Sequence, residues 1–209
     1  LPSVMFDFLE GSAEDELTST WNKQAFSNYE FVPRVLKDVS KIDLSTNVQG
    51  VQLSLPVISA PTGMSRMFHH EGEKAVVRAT HKAGTAYTLS TVSTYSIEEV
   101  AAESNGPLFF QIYAWHDKKM VSDFIDRCKK QNYQGLMLAV DLPVLGKRER
   151  DLNNGHGRPT VLRINTALSA LSKPAWLFHF LSKPKLKMAN MIDHLPHGAD
   201  ALKVIDTVN

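Results

Sequence analysis

The sequence holds a single cysteine, Cys128, so no disulfide can form within the chain. That usage fits a reducing compartment. No run of apolar residues approaches the ~18 needed to cross a bilayer. Neither sign of charge dominates: 23 lysines and arginines stand against 22 acidic residues, a net charge of +1. A global pull toward nucleic acid is therefore not expected. The glycine patterns that cradle phosphates, G-x-G-x-x-G and G-x-x-x-x-G-K-[ST], do not follow the first apolar strand-like run, which counts against a dinucleotide or P-loop fold. Leu1-Pro2-Ser3 begins without a methionine and without a basic stretch leading into an apolar one. We read this as a start inside a longer gene product with no signal peptide, and expect a cytoplasmic location.

What is present is the composition of a globular protein, 43% apolar and 22% charged over 209 residues. That is enough for one sizeable domain or most of a larger one. Residues 1–50 read as a helical cap. Val4 to Leu9 forms an apolar helical turn or two, stopped by Gly11. Ser12 followed by Asp15 has the spacing of a capping box and predicts a helix running to about Phe26.

Residues 51–145 change character, alternating short apolar runs with helical patterns. Strands are predicted at Leu55–Ala60 (LPVISA), Tyr87–Ser90, Leu108–Tyr113 (LFFQIY) and Gly135–Val140 (GLMLAV). Between them, Glu71–Ala83 has helical periodicity and stops at Gly84. Ser96-Ile97-Glu98-Glu99 is a capping box opening a short helix to about Glu103. Lys118–Gln131 places Val121, Phe124, Ile125 and Cys128 on one helical face. Strands that are apolar throughout belong to a parallel sheet covered on both faces. Both a doubly wound sheet and the first half of a (βα)8 barrel fit this order. The barrel is favoured because polar or unusually small residues recur at strand ends: Thr62 and Gly63, Ser90, Gln111 and Tyr113, then Asp141. Residues 146–209 lose the rhythm and read as a long irregular loop after the fourth strand. It passes from Pro143 and Gly146 through Lys147-Arg148-Glu149-Arg150-Asp151, then Gly155, Gly157 and Pro159, to Trp176–Leu181 among Lys173, Lys183, Lys185 and Lys187. His69-His70 is expected to pack locally, and proline between His194 and His197 argues against a metal pair.

The stretches LPSVMFDFLEGSAEDE, FVPRVLKDVS, LPVISAPTGM, EGEKAVVRAT, TLSTVSTYSIEEVA, LFFQIY and LAVDLPVLGKRERDLNNG, spread over residues 1–155, resemble the FMN-dependent 2-hydroxy-acid dehydrogenases and oxidases. KPAWLFHF resembles the family's long loop after the fourth strand. The resemblance implies a TIM barrel, an FMN cofactor and a small 2-hydroxy-acid substrate, lactate- or mandelate-like. It implies that Pro61, Thr62 and Gly63 lie against the flavin, and that Ser90 and Gln111 hydrogen-bond its polar edge. Tyr113 matches a tyrosine near the substrate hydroxyl, and Arg148 an arginine of the substrate pocket, where a guanidinium suits a carboxylate. The plain alternative for Arg148 is a solvated charge.

Three positions depart from the family pattern. Phe8 replaces a tyrosine that donates to the substrate carboxylate. Ala139 replaces a threonine that bonds the flavin. Gly63 replaces the alanine usual in oxidases, which implies electron transfer to a quinone- or cytochrome-like carrier rather than to oxygen. Val92 also stands where some members carry tryptophan. The family's flavin lysine, its catalytic histidine–arginine pair and its phosphate site come from later strands, which this chain does not contain. The chain is therefore expected to be a partial enzyme, homo-oligomeric when complete. The loop over 161–195 is where membrane-associated members carry their anchor, which implies peripheral contact with the inner face of a membrane. The alternative is a non-catalytic relative serving as a binding or assembly module. A flavin barrel for phosphorylated substrates is disfavoured by LAVDLPVLGKRERD.

Overall fold

A computed structural model describes the chain except residues 114, 116, 142, 143, 145, 155–163 and 195–209, and the side chain of Asn165. In chain order the elements are α1 (Ser3–Glu10), α2 (Leu17–Ala25), β1 (Thr46–Val48), β2 (Val51–Leu53), α3 (Gly72–Lys82), β3 (Tyr87–Ser90), α4 (Ile97–Ala101), β4 (Leu108–Tyr113), α5 (Lys118–Lys130), β5 (Gly135–Ala139), α6 (Glu149–Asn153), α7 (Ile164–Leu171) and α8 (Pro174–Ser182). They fall into two units, Leu1–Asp43 with Val144–Leu177, and Leu44–Pro143 with Phe178–Asn209.

In the first unit, α1 stops at Gly11, whose N–H caps the Asp7 carbonyl at 2.7 Å. The capping box predicted at Ser12 and Asp15 does not form. Glu14 and Glu16 take positive φ, and Ser12 N–H donates to Glu16 Oε1 instead at 3.0 Å. These left-handed residues interrupt the helical path, so α2 begins only at Leu17. Arg150 reaches Glu16 Oε2 at 2.6 Å, and Asn154 Nδ2 donates to Asp7 Oδ2 at 2.5 Å. The stretch predicted as irregular after residue 146 is helical over much of its described length, as α6, α7 and α8. Its expected breakers Gly155, Gly157 and Pro159, and His197, lie outside the described residues.

The second unit is built on a parallel sheet in the order β3–β4–β5. Ser90 pairs with Gln111, Gln111 with Met137, and Tyr113 with Ala139. Side chains alternate across each strand. Phe110 of β4 turns toward the helices, meeting Phe124 of α5 edge-on at 5.8 Å and Tyr133 at 6.4 Å. The opposite face carries Phe109, Gln111 and Tyr113. Phe109 closes one end of that face with Val51, Leu53 and Ala86. Val51 and Leu53 belong to a β1–β2 hairpin. Its first strand lies within residues 1–50, read as helical cap, and the sequence reading did not identify this hairpin. Its signal is Gln49-Gly50, where both residues take positive φ as a tight two-residue turn requires.

Leu55–Ala60, predicted as the first barrel strand, pairs at one residue only, Ser59 with Tyr87. Ser59 N–H donates to the Ala86 carbonyl and Thr88 N–H to the Ser59 carbonyl, at 3.0 and 3.1 Å. Pro56 has no N–H to give, and Val57 N–H turns back to the Leu55 carbonyl. The ladder therefore ends where it starts. The capping box at Ser96 and Glu99 forms in full. Behind it Arg127 holds Glu98 at 2.8 and 2.7 Å and keeps its carboxyl down at about 2. A short segment near residue 190, unremarked in the sequence, is among the most buried: Met188, Asn190 and Met191 are 2%, 0% and 1% exposed. Asn190 accepts from Ile97 N–H at 2.9 Å and donates to Ser93 Oγ at 3.0 Å.

β5 is the exposed edge. Leu136, Met137 and Leu138 stand 45%, 41% and 56% exposed, and among the described residues no strand pairs beyond them. An apolar parallel edge of this kind templates association. Residues 1–209 expressed alone should associate in a concentration-dependent way in sedimentation equilibrium. A monodisperse monomer with one cooperative unfolding transition would contradict this.

Candidate functional site

The sheet face opposite the helices turns polar toward the strands' C-terminal ends. Thr88, Ser90 and Gln111 lie there, 0%, 4% and 5% exposed. Register alone brings Ser90 beside Gln111. Ser90 Oγ donates to Gln111 Oε1 at 3.2 Å, and Thr91 N–H donates to the same oxygen at 3.3 Å. Thr91 Oγ1 also donates to the Gln111 carbonyl. These bonds fix which way the amide points, because Oε1 must face its two donors. Gln111 Nε2 is then turned away, buried and without a hydrogen-bond partner. A buried unpaired donor costs about 1–3 kcal/mol. Thr88 Oγ1 on the same face is also unpaired. Both unpaired groups lie on one face of the sheet.

Gly63 packs against the turn after β3. A Cβ there would collide with Val92 Cγ2 and come within 3.3 Å of the Val92 carbonyl and 3.6 Å of Ser90 Oγ. Met64 N–H donates to that carbonyl at 3.0 Å. Glycine at 63 thus lets two loops touch backbone to backbone, and its bare side faces Val92. Pro61 and Thr62 precede it, partly buried and exposed respectively, and the Thr62 carbonyl accepts from Ser65 Oγ at 3.4 Å.

Tyr113 closes β4 opposite Ala139. Its ring stacks on Trp115 at 5.8 Å. Burial, then the charge of Asp141, push the phenol's pKa up, opposed by the Gln111 side chain. The amide is thus near the phenol without meeting hydrogen-bond geometry. Tyr113 stays protonated at neutral pH and is a donor. Ala139 offers no polar atom, so the donors on this face come from β3 and β4.

Phe8 and Arg148 belong to the other unit. They touch each other: the guanidinium lies over the Phe8 ring at 5.0 Å, and Nη2 donates to the Phe8 carbonyl at 2.5 Å. Nε donates to Asp151 Oδ2 at 2.5 Å, and Asp151 is 4% exposed. Arg148 is therefore not a solvated charge. It holds α1 to α6, with two of its donors committed. Sequence reasoning missed Asp151, although Arg148-x-x-Asp151 has the i,i+3 spacing of a helical ion pair.

His69 and His70 pack on each other as expected, but His70 also has a partner distant in sequence. His70 lies 4.3 Å from His69 and stacks on His179 at 4.2 Å. His194 meets Asp123 at 3.1 Å. No metal-binding group of histidine, cysteine and carboxylates occurs among the described residues.

A family model described as FMN-dependent dehydrogenase matches residues 1–207. Glycolate oxidase 3 of Arabidopsis thaliana is 43% identical over 164 residues, 78% of this chain and 45% of that protein. Glycolate oxidase 1 of Zea mays is 45% identical over 154 residues, 74% and 42% of the two chains. Among solved structures, a monotopic membrane protein, (S)-mandelate dehydrogenase, superposes with a TM-score of 0.90 at 32% identity, over 99% of this chain and 54% of that one. A mandelate oxidase with benzoyl-formic acid gives 0.71 at 35%, over 79% and 48%. The chain spans less than half the length of these curated relatives.

The contact between Gly63 and Val92 makes a directional prediction for the complete protein. Gly63→Ala should lose about 1–3 kcal/mol of stability in urea unfolding, the usual cost of overpacking. Val92→Ala introduced alongside should recover most of it. Simple additivity of the two changes would show that the side chains do not compete for one space.

Proposed function

We propose, for a chain that belongs to the FMN-dependent dehydrogenase family, that the complete protein oxidises an (S)-2-hydroxy acid to the 2-oxo acid, and that Ser90, Gln111, Tyr113 and the loop Pro61–Gly63 line the reacting face. The family is FMN-dependent, and its solved members are TIM-barrel flavoenzymes. The observation that carries the reading is the unpaired Nε2 of Gln111. A flavin's pyrimidine edge is rich in acceptors, so a fixed, desolvated amide donor fits it. The residues present are therefore suited to FMN.

Bound FMN would supply the acceptor for the electron pair and hydrogen leaving the substrate's α-carbon. The placement of the chain's own residues supports the following roles. Ser90 and Thr91 N–H orient the Gln111 amide before any ligand arrives, so no reorganisation is needed on binding. Pro61, Thr62 and Gly63 offer their loop backbone to the flavin, and Gly63 lets that loop close on Val92. Tyr113, protonated and half-buried, donates toward the hydroxyl oxygen of the substrate as it becomes a keto oxygen. Arg148, in the other unit, is held by Asp151 and the Phe8 carbonyl and does not stand as a free two-pronged fork. Gly63 and the mandelate dehydrogenase likeness support transfer to a quinone- or cytochrome-like carrier. The glycolate oxidases among the relatives make oxygen the alternative.

Anaerobic stopped-flow reduction of the complete protein tests this. Glycolate, (S)-lactate and (S)-mandelate should be compared. At least one should bleach the flavin, and Tyr113→Phe should lower the limiting rate more than it raises the dissociation constant. An FMN-free protein, or unchanged reduction by Tyr113→Phe, would remove the residue or the reaction from the account. Loss of FMN binding altogether would favour a binding module.

We also propose peripheral membrane contact through α8. No helix among the described residues is long and apolar enough to cross a membrane. Yet α8 exposes Phe178 and Leu181, 67% and 72%, beside Lys173, Lys183, Lys185 and Lys187. Apolar side chains can enter the interface while each nearby lysine adds roughly 1 kcal/mol with anionic lipid. The similar (S)-mandelate dehydrogenase is described as monotopic. The complete protein should cosediment with anionic vesicles, less so at high salt and less after Phe178→Ser with Leu181→Ser. Binding indifferent to both substitutions would assign these side chains to a protein contact.

A further inference from the structure

Glu73 is fully buried at the start of α3, 0% exposed, and the proposed chemistry makes no use of it. A buried carboxylate must be satisfied by donors. Here the donors come from two loops that share no strand. Glu73 Oε1 accepts from Ser65 N–H at 3.2 Å and from Thr94 N–H at 2.9 Å. Oε2 accepts from Thr94 Oγ1 at 2.5 Å. Ser65 follows Pro61-Thr62-Gly63 in the first loop. Thr94 ends the turn that begins at Ser90 and includes Val92, the residue Gly63 abuts.

We propose that Glu73 is a positioning residue for the flavin: by tying Ser65 to Thr94 it sets the spacing of the two loops that present Gly63 and Ser90. The inference rests on the reading that these loops and Gln111 hold FMN. Both carboxylate oxygens are taken up by Ser65 and Thr94, so Glu73 acts through these loops. Other ties between the two loops include the Met64 N–H bond to the Val92 carbonyl, the Gly63–Val92 contact and the Arg66 guanidinium over the Tyr95 ring at 5.4 Å. Thr94 is further held from beyond, because Asn190 fixes its neighbour Ser93. A shift at Ser65 or Thr94 is therefore passed to Gly63 and Val92 rather than absorbed in slack chain.

Substitution separates the tie from mere filling of space. Glu73→Met keeps the volume and removes every acceptor. Glu73→Gln keeps an oxygen for Ser65 and Thr94 N–H, and its amide can donate to the Thr94 hydroxyl, which rotates to accept. FMN affinity should be titrated by fluorescence quenching in the complete apoprotein, and visible circular dichroism of the bound flavin recorded. Glu73→Met should weaken FMN at least about tenfold, close to 1.4 kcal/mol, and alter the visible spectrum. Glu73→Gln should stay within about threefold of the parent. Parent-like affinity and spectrum in Glu73→Met would overturn the proposal, as would equal losses in both variants. Should Glu73→Met not fold, Thr94→Val decides: weaker FMN supports the tie, unchanged affinity refutes it. Gln111→Ala separates the two claims. If it leaves FMN binding and spectrum unchanged, the flavin does not lie on these strands, and the proposal falls with that reading. If it weakens FMN while the Glu73 variants do not, only Glu73 is wrongly assigned.

Discussion

The parallel register of β3 with β4 is the constraint on which the rest of the site depends. It sets Ser90 beside Gln111, and Ser90 with Thr91 N–H then decides the orientation of the amide. A shift of one residue would turn Gln111 to the helix layer and Phe110 to the polar face. That slip is opposed by the packing of Phe110 on Phe124 and Tyr133. The apolar side of the sheet thus fixes the chemistry of the other side. Burial of aromatic area holds the register, and the register leaves one amide donor desolvated and unmatched.

The loops above the strands are braced from several directions. Glu73 ties Ser65 to Thr94, Asn190 pins Ser93, and the Gly63–Val92 contact joins the two loops through backbone. Such bracing suits a rigid cofactor edge, because donors already in place need not be ordered on binding. The first unit uses the same economy on Arg148, whose charge is held by Asp151 and the Phe8 carbonyl. An aromatic ring at residue 8 supports the guanidinium where a tyrosine hydroxyl would have offered a donor.

Much of this was legible in the sequence where local rules and tertiary demands agree. Ser96 and Glu99 make their capping box, Gly84 ends α3, and the apolar runs of β3 and β4 are strands with the limits read from them. The reading failed where a local signal met a competing demand. Ser12 and Asp15 have capping spacing, but Glu14 N–H is taken by the Lys147 carbonyl, a bond across more than a hundred residues that no window can see. Leu55–Ala60 is apolar like a strand, yet Pro56 and the Val57 turn leave it one pairing. Thr46–Leu53 was hidden by its shortness, though Gln49-Gly50 was a usable sign. Asn190 and Glu73 could not be found from pattern. A polar residue inside an apolar or helical stretch reads as surface until its partners are known. The residues proposed to face the flavin came chiefly from family resemblance, and the structure supplies the reason Gln111 has a donor to spare.

The central claim is that this donor is reserved for the flavin. The most direct measurement is a crystal structure of the complete protein with FMN bound. The account predicts Gln111 Nε2 within hydrogen-bond reach of a flavin acceptor, about 2.7–3.2 Å, with Oε1 still facing Ser90 and Thr91. A flavin lying elsewhere, or a Gln111 amide paired wholly within the protein, would contradict it.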